Sequence, residues 1–149
     1  MSDSNSRRNA LDRLNRFIGR WLTDGETVAT PEAPSLRIVA SDVYQWAPGG
    51  QFIMHPAYGR IGDQDVGGLE VIGYDPATEQ FRTYFFDQDG NTATETLTAE
   101  GDNWTWQSTQ HRCRGEFTDN GRTLVALHER LDDDGGWTAS MKVTLRKVE

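Results

Sequence analysis

The strongest constraint on the fold is an alternation of apolar and polar side chains with a period of two residues, which begins after Gly19 and persists to the end of the chain. The clearest instance is the last segment, where the apolar parity consists of Trp137, Ala139, Met141, Val143 and Leu145. Such alternation is typical of antiparallel strands that pack one face on a core and expose the other to water. No second helical pattern interrupts it, which excludes a parallel sheet built from βαβ units.

Turn signals divide this region into short pieces of similar length. Clusters of Gly, Pro, Asn and Asp, such as Asp87-Gln88-Asp89-Gly90, separate about ten strands within residues 20–148. Sequential antiparallel strands in this number form either a sandwich or a closed barrel, and closure removes the exposed edges of the sheet. A barrel of about eight or more strands is wide enough to hold a small ligand. We therefore predict an all-β fold, a roughly ten-stranded antiparallel barrel.

One helical segment precedes the strands. Its apolar residues recur at three- and four-residue spacing, and they are Leu11, Leu14, Phe17 and Ile18. Asn9 is the expected N-cap and Gly19 the expected end of this helix, which we expect to cover one end of the barrel. Because 149 residues suffice for one core, we predict a single barrel domain at residues 9–149. Residues 1–8 precede the helical pattern, and we predict that they form a flexible leader.

The charge balance restricts the partners. The chain carries 15 Lys and Arg residues against 23 Asp and Glu residues, a formal net charge of −8. This balance argues against nucleic acid and against an anionic membrane surface as partners. Cys113 is the single cysteine and forms no internal disulfide, and the polar N-terminal residues lack the apolar stretch of a secretory signal. We therefore expect a cytoplasmic protein with no nucleic-acid or membrane partner.

Several short motifs resemble a known family. The helix followed by Gly19-Arg20-Trp21 is similar to the Gly-x-Trp signature of calycins, the lipocalin and fatty-acid-binding-protein group of barrels. Four further motifs, in this order and spacing, resemble the bacterial lipocalin-like family DUF1579: Gly49-Gly50-Gln51-Phe52, Gly67-Gly68-Leu69-Glu70, Gly73-Tyr74-Asp75 and Asp87-x-x-Gly90. The likeness covers roughly residues 10–148. It implies a lipocalin-like barrel with an internal cavity, in which Trp21 covers the base and Gly19 lets the helix approach closely, and it implies no particular reaction.

The aromatic content predicts a ligand cavity. The 5 Trp, 4 Tyr and 6 Phe residues are more than the base of a small barrel needs, so rings with a few polar anchors are expected to line the interior. An inward Arg beside an inward Tyr would suit a carboxylate on a small, partly apolar ligand. The parity that faces inward on the central strands is left open. The predicted ligand-binding residues are Met54, Tyr58, Glu70, Arg82, Tyr84, Trp106, Arg112 and Met141.

Haem is a less favoured alternative. An imidazole that binds haem iron must face an apolar cavity. His128 shares its parity with Arg130, whereas the other parity of this strand carries Val125 and Leu127, so His128 is expected to point outward or to the rim. The haem-binding nitrobindins continue Gly-x-Trp-x-Gly-x-Gly, and this chain departs from that pattern with Thr23.

Metal ligands are sparse in the sequence. His111-x-Cys113 offers two ligands, whereas zinc takes four, or three and a water. The loop that starts at Asp87 has Thr92 and Thr98 where a calcium loop needs Gly and Glu. We expect neither a metal nor a cofactor.

Three classes of function remain. The first is binding of a small hydrophobic or amphipathic molecule in the barrel, and the second is a cofactor-independent isomerase or cyclase that uses Tyr, His or Glu in the same cavity. The third is a structural or interaction protein, for example a homodimer that buries a Tyr- and Trp-rich outer surface. A cavity above about 300 Å³ with converging polar groups would favour the first two classes, and a filled core would exclude them. Catalysis further requires an acid or base with a perturbed pKa at the ligand.

Overall fold

The computed structural model describes residues 3–149. An N-terminal α-helix, α1 (Asp3–Asp12), continues into a 3₁₀ segment, Arg13–Phe17, and a second 3₁₀ turn spans Asp119–Gly121. The strands are β1 (Gly19–Thr27), β2 (Arg37–Trp46), β3 (Ile53–Ile61), β4 (Gln64–Asp75), β5 (Gln80–Asp87), β6 (Thr92–Glu100), β7 (Asn103–Gln107), β8 (His111–Thr118), β9 (Thr123–Leu131) and β10 (Trp137–Lys147).

The ten strands form one closed antiparallel barrel. Each strand pairs with its sequence neighbour, and β1 pairs with β10, where Trp21 lies opposite Lys147. Every strand therefore has a partner on both sides, which removes the open edges. The predicted all-β class, the strand number, the barrel and the single short N-terminal helix are confirmed.

The start of the helix was predicted wrongly. It begins at Asp3 rather than after Asn9, so residues 3–8, which we assigned to the leader, are helical. Residues 1–2 of that leader lie outside the described part of the chain. The final turns tighten to a 3₁₀ helix, in which side chains three residues apart lie above one another. This geometry places Leu14 and Phe17 on one side, and both are fully buried. Within residues 3–149, no helix has the length and apolarity to cross a membrane.

The helix covers one end of the barrel, as predicted. Arginines on α1 and the 3₁₀ segment hold it to the turns at that end, with Arg8, Arg13 and Arg16 donating to the carbonyl oxygens of Gly50, Ala99 and Gly101. These three acceptors lie in or beside the β2–β3 and β6–β7 connections. The segment is therefore fixed across the end of the barrel by several separate strand connections.

An aromatic cluster fills the barrel beneath the helix. The ring of Phe17 lies 5.3 Å from Tyr44 and 5.0 Å from each of Trp104 and Phe117, mostly in edge-to-face geometry. Trp21 is fully buried below it and donates its indole N–H to the carbonyl oxygen of Phe17 at 2.8 Å. Trp21 thus covers the base of the barrel, as the resemblance implied.

Gly19 has a different role from the one that the resemblance implied. Its φ is 138°, and a Cβ there would lie 2.3 Å from the carbonyl oxygen of Glu149. The same oxygen accepts a hydrogen bond from the amide of Arg20 at 3.1 Å. Gly19 therefore makes room for the C-terminal end of the chain, which seals the β1–β10 junction, rather than for the helix.

Phe17→Ala is expected to lower the free energy of unfolding by about 3–5 kcal/mol, because it leaves a cavity at the centre of the aromatic cluster. Urea unfolding followed by circular dichroism measures this change. Phe86→Ala is the matched control, since Phe86 is 44% exposed on the outside of the barrel, and it should cost about 0.5 kcal/mol. Equal losses in the two variants would contradict the assignment of Phe17 as the anchor of the helix.

Candidate functional site

The half of the barrel away from the helix encloses a cavity of about 240 Å³. Along β8, Phe117 packs beneath the helix, whereas Cys113 and His111 line the cavity. Fourteen further lining residues come from strands all around the barrel. They are Thr23, Ala40, Asp42, Tyr44, His55, Glu70, Phe85, Glu95, Trp106, Leu124, Ala126, His128, Val143 and Leu145. The interior is thus neither filled nor uniformly apolar, although its volume is below our expected 300 Å³.

The first polar group in the cavity centres on His55. Its Nε2 lies 2.8 Å from Oδ1 of Asp42, and its Nδ1 lies 2.7 Å from Oε1 of Glu70. The remaining carboxylate oxygens are also satisfied, since Thr23 donates its hydroxyl to Asp42 and Trp106 donates its indole N–H to Glu70 at 3.1 Å. Side chains of β1, β2, β3, β4 and β7 therefore form one hydrogen-bonded network across the interior.

The two carboxylates hold His55 in its protonated form. Burial alone would lower the pKa of His55, but the hydrogen bonds to Asp42 and Glu70 outweigh it and raise the pKa from 6.5 to about 9. Tyr44 stacks on the imidazole with ring centroids 3.7 Å apart. Its own pKa is raised by burial and by the negative charges of Glu70 and Asp42, so the phenol stays neutral. The group is a buried ion triad that pairs one cation with two anions.

The second polar group is a chain of four side chains. Oε2 of Glu95 lies 2.6 Å from Nδ1 of His111, and Nε2 of His111 lies 3.0 Å from Nδ1 of His128. The chain ends where Nε2 of His128 lies 3.5 Å from Sγ of Cys113. The His111 side chain is 37% exposed, so this chain connects the buried thiol to solvent through two imidazoles.

The inner members of this chain are neutral at pH 7. Burial and the neighbouring His111 lower the pKa of His128 from 6.5 to about 4. Burial and the negative charges of Glu95 and Glu70 raise the pKa of the Cys113 thiol well above its usual range. Because one ring nitrogen of a neutral imidazole donates and the other accepts, His128 can link His111 to the Cys113 thiol without a positive charge of its own.

Two of the eight predicted site residues line the cavity. Glu70 and Trp106 lie inside and are hydrogen-bonded to each other. Met141 packs against the buried core but does not line the cavity. The other five lie on the outward parity of their strands, because their neighbours His55, Phe81, Thr83 and Cys113 occupy the inward one. These five are Met54, Tyr58, Arg82, Tyr84 and Arg112.

Because of this outward placement, neither Arg82 nor Arg112 lines the cavity. Arg112 instead pairs with Glu129 at 2.9 Å and lies over the ring of Trp137 at 4.7 Å on the outer surface. Arg114 also pairs with Glu129 at 3.1 Å, and the bonds from these arginines lower the pKa of Glu129. Tyr58 is 67% exposed on the outer surface. The homodimer hypothesis invokes exposed aromatic residues of this kind, and it stays a prediction.

The prediction that His128 points outward or to the rim is wrong. On β9, Leu124, Ala126 and His128 face the cavity, whereas Val125 is 46% exposed. The comparison of apolar content fails here because the cavity lining mixes polar and apolar side chains, so the more apolar parity need not be the buried one. The pairing of Trp106 with Cys113 is the signal that places this region, since the strand register then puts His128 directly beside Cys113.

The histidines do not fit the haem alternative. Each ring nitrogen of His55, His111 and His128 already lies within hydrogen-bonding distance of another side chain. An axial ligand would have to break one of these bonds and still leave room for a porphyrin in about 240 Å³. Among residues 3–149, no group of three or more His, Cys, Asp or Glu side chains is arranged to hold a metal ion.

The stability of the protein should pass through a maximum near pH 6.5. The raised pKa of His55 makes its stabilisation complete below pH 6.5 and lost as pH rises through about 9. The lowered pKa of His128 has the opposite effect, with stability present above pH 6.5 and lost as pH falls through about 4. Urea unfolding should therefore show a decline of about 3 kcal/mol between pH 6.5 and 9.

Two variants separate the alkaline and acid sides of this profile. His55→Gln should remove the decline above pH 6.5, and His128→Gln should keep that decline while flattening the profile between pH 6.5 and 4.5. An alkaline decline that persists unchanged in His55→Gln would show that His55 is not the protonated group.

Comparisons with known proteins agree with this architecture. Rv2717c from M. tuberculosis superposes with a TM-score of 0.67 at 10% sequence identity, covering 94% of this chain and 98% of that one. The S-type phycobiliprotein lyase CPES from Guillardia theta gives a TM-score of 0.59 at 9% identity, covering 100% and 98%. A protein of unknown function from the DUF3598 family of Nostoc punctiforme PCC 73102 gives 0.51 at 17% identity, covering 91% and 48%.

These likenesses establish a shared barrel fold, and identities this low carry nothing about ligands. No curated protein matches the chain at a significant level. The family comparison is decisive, because the model described as "Protein of unknown function (DUF1579)" matches residues 7–147, nearly the whole barrel and most of the helix. The chain therefore belongs to the DUF1579 family.

Proposed function

We propose that this protein binds a small, partly apolar molecule in the cavity of the barrel. The observation that carries the proposal is the coexistence of an open interior volume of about 240 Å³ with polar side chains that converge on it from several strands. A barrel that served only as a scaffold would gain stability by filling this space with apolar side chains. Retaining several ionisable groups around an unfilled volume is typical of a binding site.

The size of the cavity limits the ligand. An engineered protein cavity of about 150 Å³ takes a benzene molecule, so about 240 Å³ suits one ring with a short substituent. The apolar part of such a ligand would lie against Leu124, Ala126, Val143 and Leu145. The sequence suggested a ligand that carries a carboxylate. The structure does not support this feature of the ligand, because Arg82 and Arg112 do not line the cavity.

The neighbour named as a phycobiliprotein lyase shares the barrel fold, but a likeness at 9% identity supports only the architecture. The proposal therefore depends on the cavity itself, and occlusion of the cavity is its direct test.

Ala126→Trp should abolish binding of benzyl alcohol, a one-ring probe, because the indole would occupy the space that Ala126 leaves open. Chemical-shift titration by NMR measures the affinity. The matched control is Val125→Trp, which places the same side chain on the outer surface one residue earlier and should leave binding unchanged. Binding that survives in Ala126→Trp, or a wild-type protein that shows no shifts, would overturn the proposal. Native mass spectrometry of the purified wild-type protein adds the mass of any ligand that co-purifies.

A second candidate is a cofactor-independent isomerase or cyclase in the same cavity. The specific observation in its favour is the chain from Glu95 through His111 to His128, in which a half-exposed imidazole is oriented by a buried carboxylate. A carboxylate that fixes the tautomer and orientation of an imidazole is the arrangement that general bases use.

This second candidate predicts proton exchange on a bound ketone. Deuterium incorporation next to the carbonyl of cyclohexanone in D₂O, followed by NMR, should be accelerated by the wild-type protein. His111→Asn should reduce the acceleration by about 100-fold or more, and Ala126→Trp should abolish it by occluding the site. Exchange that stays at the buffer rate in the presence of wild-type protein, while benzyl alcohol binds, would leave the protein as a binder and reject the enzyme.

A further inference from the structure

The three carboxylates of the cavity differ in how many of their hydrogen-bonding sites are used. Asp42 and Glu70 each have both oxygens occupied, by His55 together with Thr23 or Trp106. Glu95 has one oxygen bonded to His111, and within residues 3–149 its Oε1 has no hydrogen-bond partner. Glu95 is therefore the carboxylate that can still accept a hydrogen bond from a ligand.

Glu95 is buried and reaches the same space as the ligand. The residue is only 6% exposed and lines the cavity from β6. Within residues 3–149, the fully buried side-chain atoms without a hydrogen-bond partner are Oγ1 of Thr83 and Nε1 of Trp104, so Oε1 of Glu95 faces open space. A ligand that covered this oxygen without offering a donor would leave a carboxylate buried and unsatisfied, which is costly. A donor on the ligand avoids this cost, and Glu95 thus favours a ligand that carries N–H or O–H groups.

The charges around the cavity favour a cationic donor over a neutral one. The described lining contains three carboxylic acids and neither Lys nor Arg. His55, with its pKa raised by Asp42 and Glu70, is the cation that balances one of these acids. His128 adds no positive charge at neutral pH, since burial lowers its pKa to about 4, and Tyr44 and Cys113 are neutral because burial raises their pKa. The partner of Glu95 is His111, whose side chain is 37% exposed.

Aromatic and apolar side chains complete the surroundings of Glu95. Phe85 lines the cavity from the neighbouring strand β5, where it lies opposite Ala93, two residues before Glu95 on β6. Trp106 presents the remainder of its ring to the same cavity. Aromatic faces attract cations and also pack against apolar bodies.

Resting on the proposed function, we propose that the cavity takes a small organic cation, a primary ammonium on a short apolar or aromatic body, with Oε1 of Glu95 as the acceptor for its N–H. The ammonium would occupy the side of the cavity near Phe85 and Glu95, and the apolar body would lie toward Leu124 and Val143. The preference for an amine follows from the missing donor at Glu95 and the surplus of acids, not from the shape of the cavity.

Three probes with one scaffold test the proposal: benzylamine, benzyl alcohol and benzoate, titrated at pH 7 with NMR detection. In the wild-type protein benzylamine should bind about tenfold more tightly than benzyl alcohol, because a charge-assisted hydrogen bond is roughly twice as strong as a neutral one, and benzoate should bind most weakly. Glu95→Gln should bring benzylamine and benzyl alcohol to similar affinities. Glu116→Gln changes an exposed glutamate on β8, two strands away from Glu95, and this control should keep the preference.

The outcomes separate this inference from the function on which it rests. Equal binding of the three probes, a preference for benzoate, or an amine preference that persists in Glu95→Gln would overturn the inference while the binding function stands. Failure of all three probes to bind the wild-type protein would overturn both. Circular dichroism spectra and melting temperatures verify that Glu95→Gln is folded, and the ranking of the probes on the wild-type protein tests the inference without any variant.

Discussion

The pairing of β1 with β10 closes the sheet, and the rest of the structure depends on this closure. Because side chains alternate along each strand, closure assigns one parity of all ten strands to a shared interior. Gly19 makes the junction possible by leaving space for the carbonyl of Glu149. The interior then divides along the barrel axis: the helix end is filled by the aromatic cluster around Phe17, and the other end is too wide for its short side chains, such as Ala40 and Ala126, to fill.

The unfilled half is stabilised by pairing its charges with one another. Asp42 and Glu70 would be costly in a low-dielectric interior if each stood alone, and His55 between them removes most of that cost by carrying a proton. The Glu95 chain differs, because its buried end consists of the neutral His128 imidazole and the neutral Cys113 thiol, which are hydrogen-bonded to Glu95 through His111. The difference matters for function, because the first network is saturated and mainly orders the interior, whereas the second reaches solvent and retains an unused acceptor.

The sequence-based predictions succeed where the information is local. The ten strands and the turns between them follow from side-chain periodicity and turn residues, and the burial of Trp21 at the base agrees with what the family resemblance implies. The predictions leave open which parity faces inward on the central strands, and the structure places Tyr58, Arg82 and Tyr84 outside. The outward orientation predicted for His128 on β9 is wrong, since His128 lines the cavity. On these strands both parities carry a mixture of apolar and polar residues, and the outer polar positions are balanced by pairs such as Arg112 with Glu129. Apolar content therefore cannot distinguish the faces.

The amino-acid sequence alone determined that this chain is an all-β barrel closed at one end by an N-terminal helix, and its motifs identified the DUF1579 family. These properties follow from the period of two, the positions of Gly, Pro, Asn and Asp, and a short amphipathic segment, each of which acts within a few residues. Only the tertiary structure decided which side chains meet in the cavity. The contacts among Asp42, His55 and Glu70, and among Glu95, His111 and His128, join strands that are distant in sequence, and the register of the closed sheet sets them.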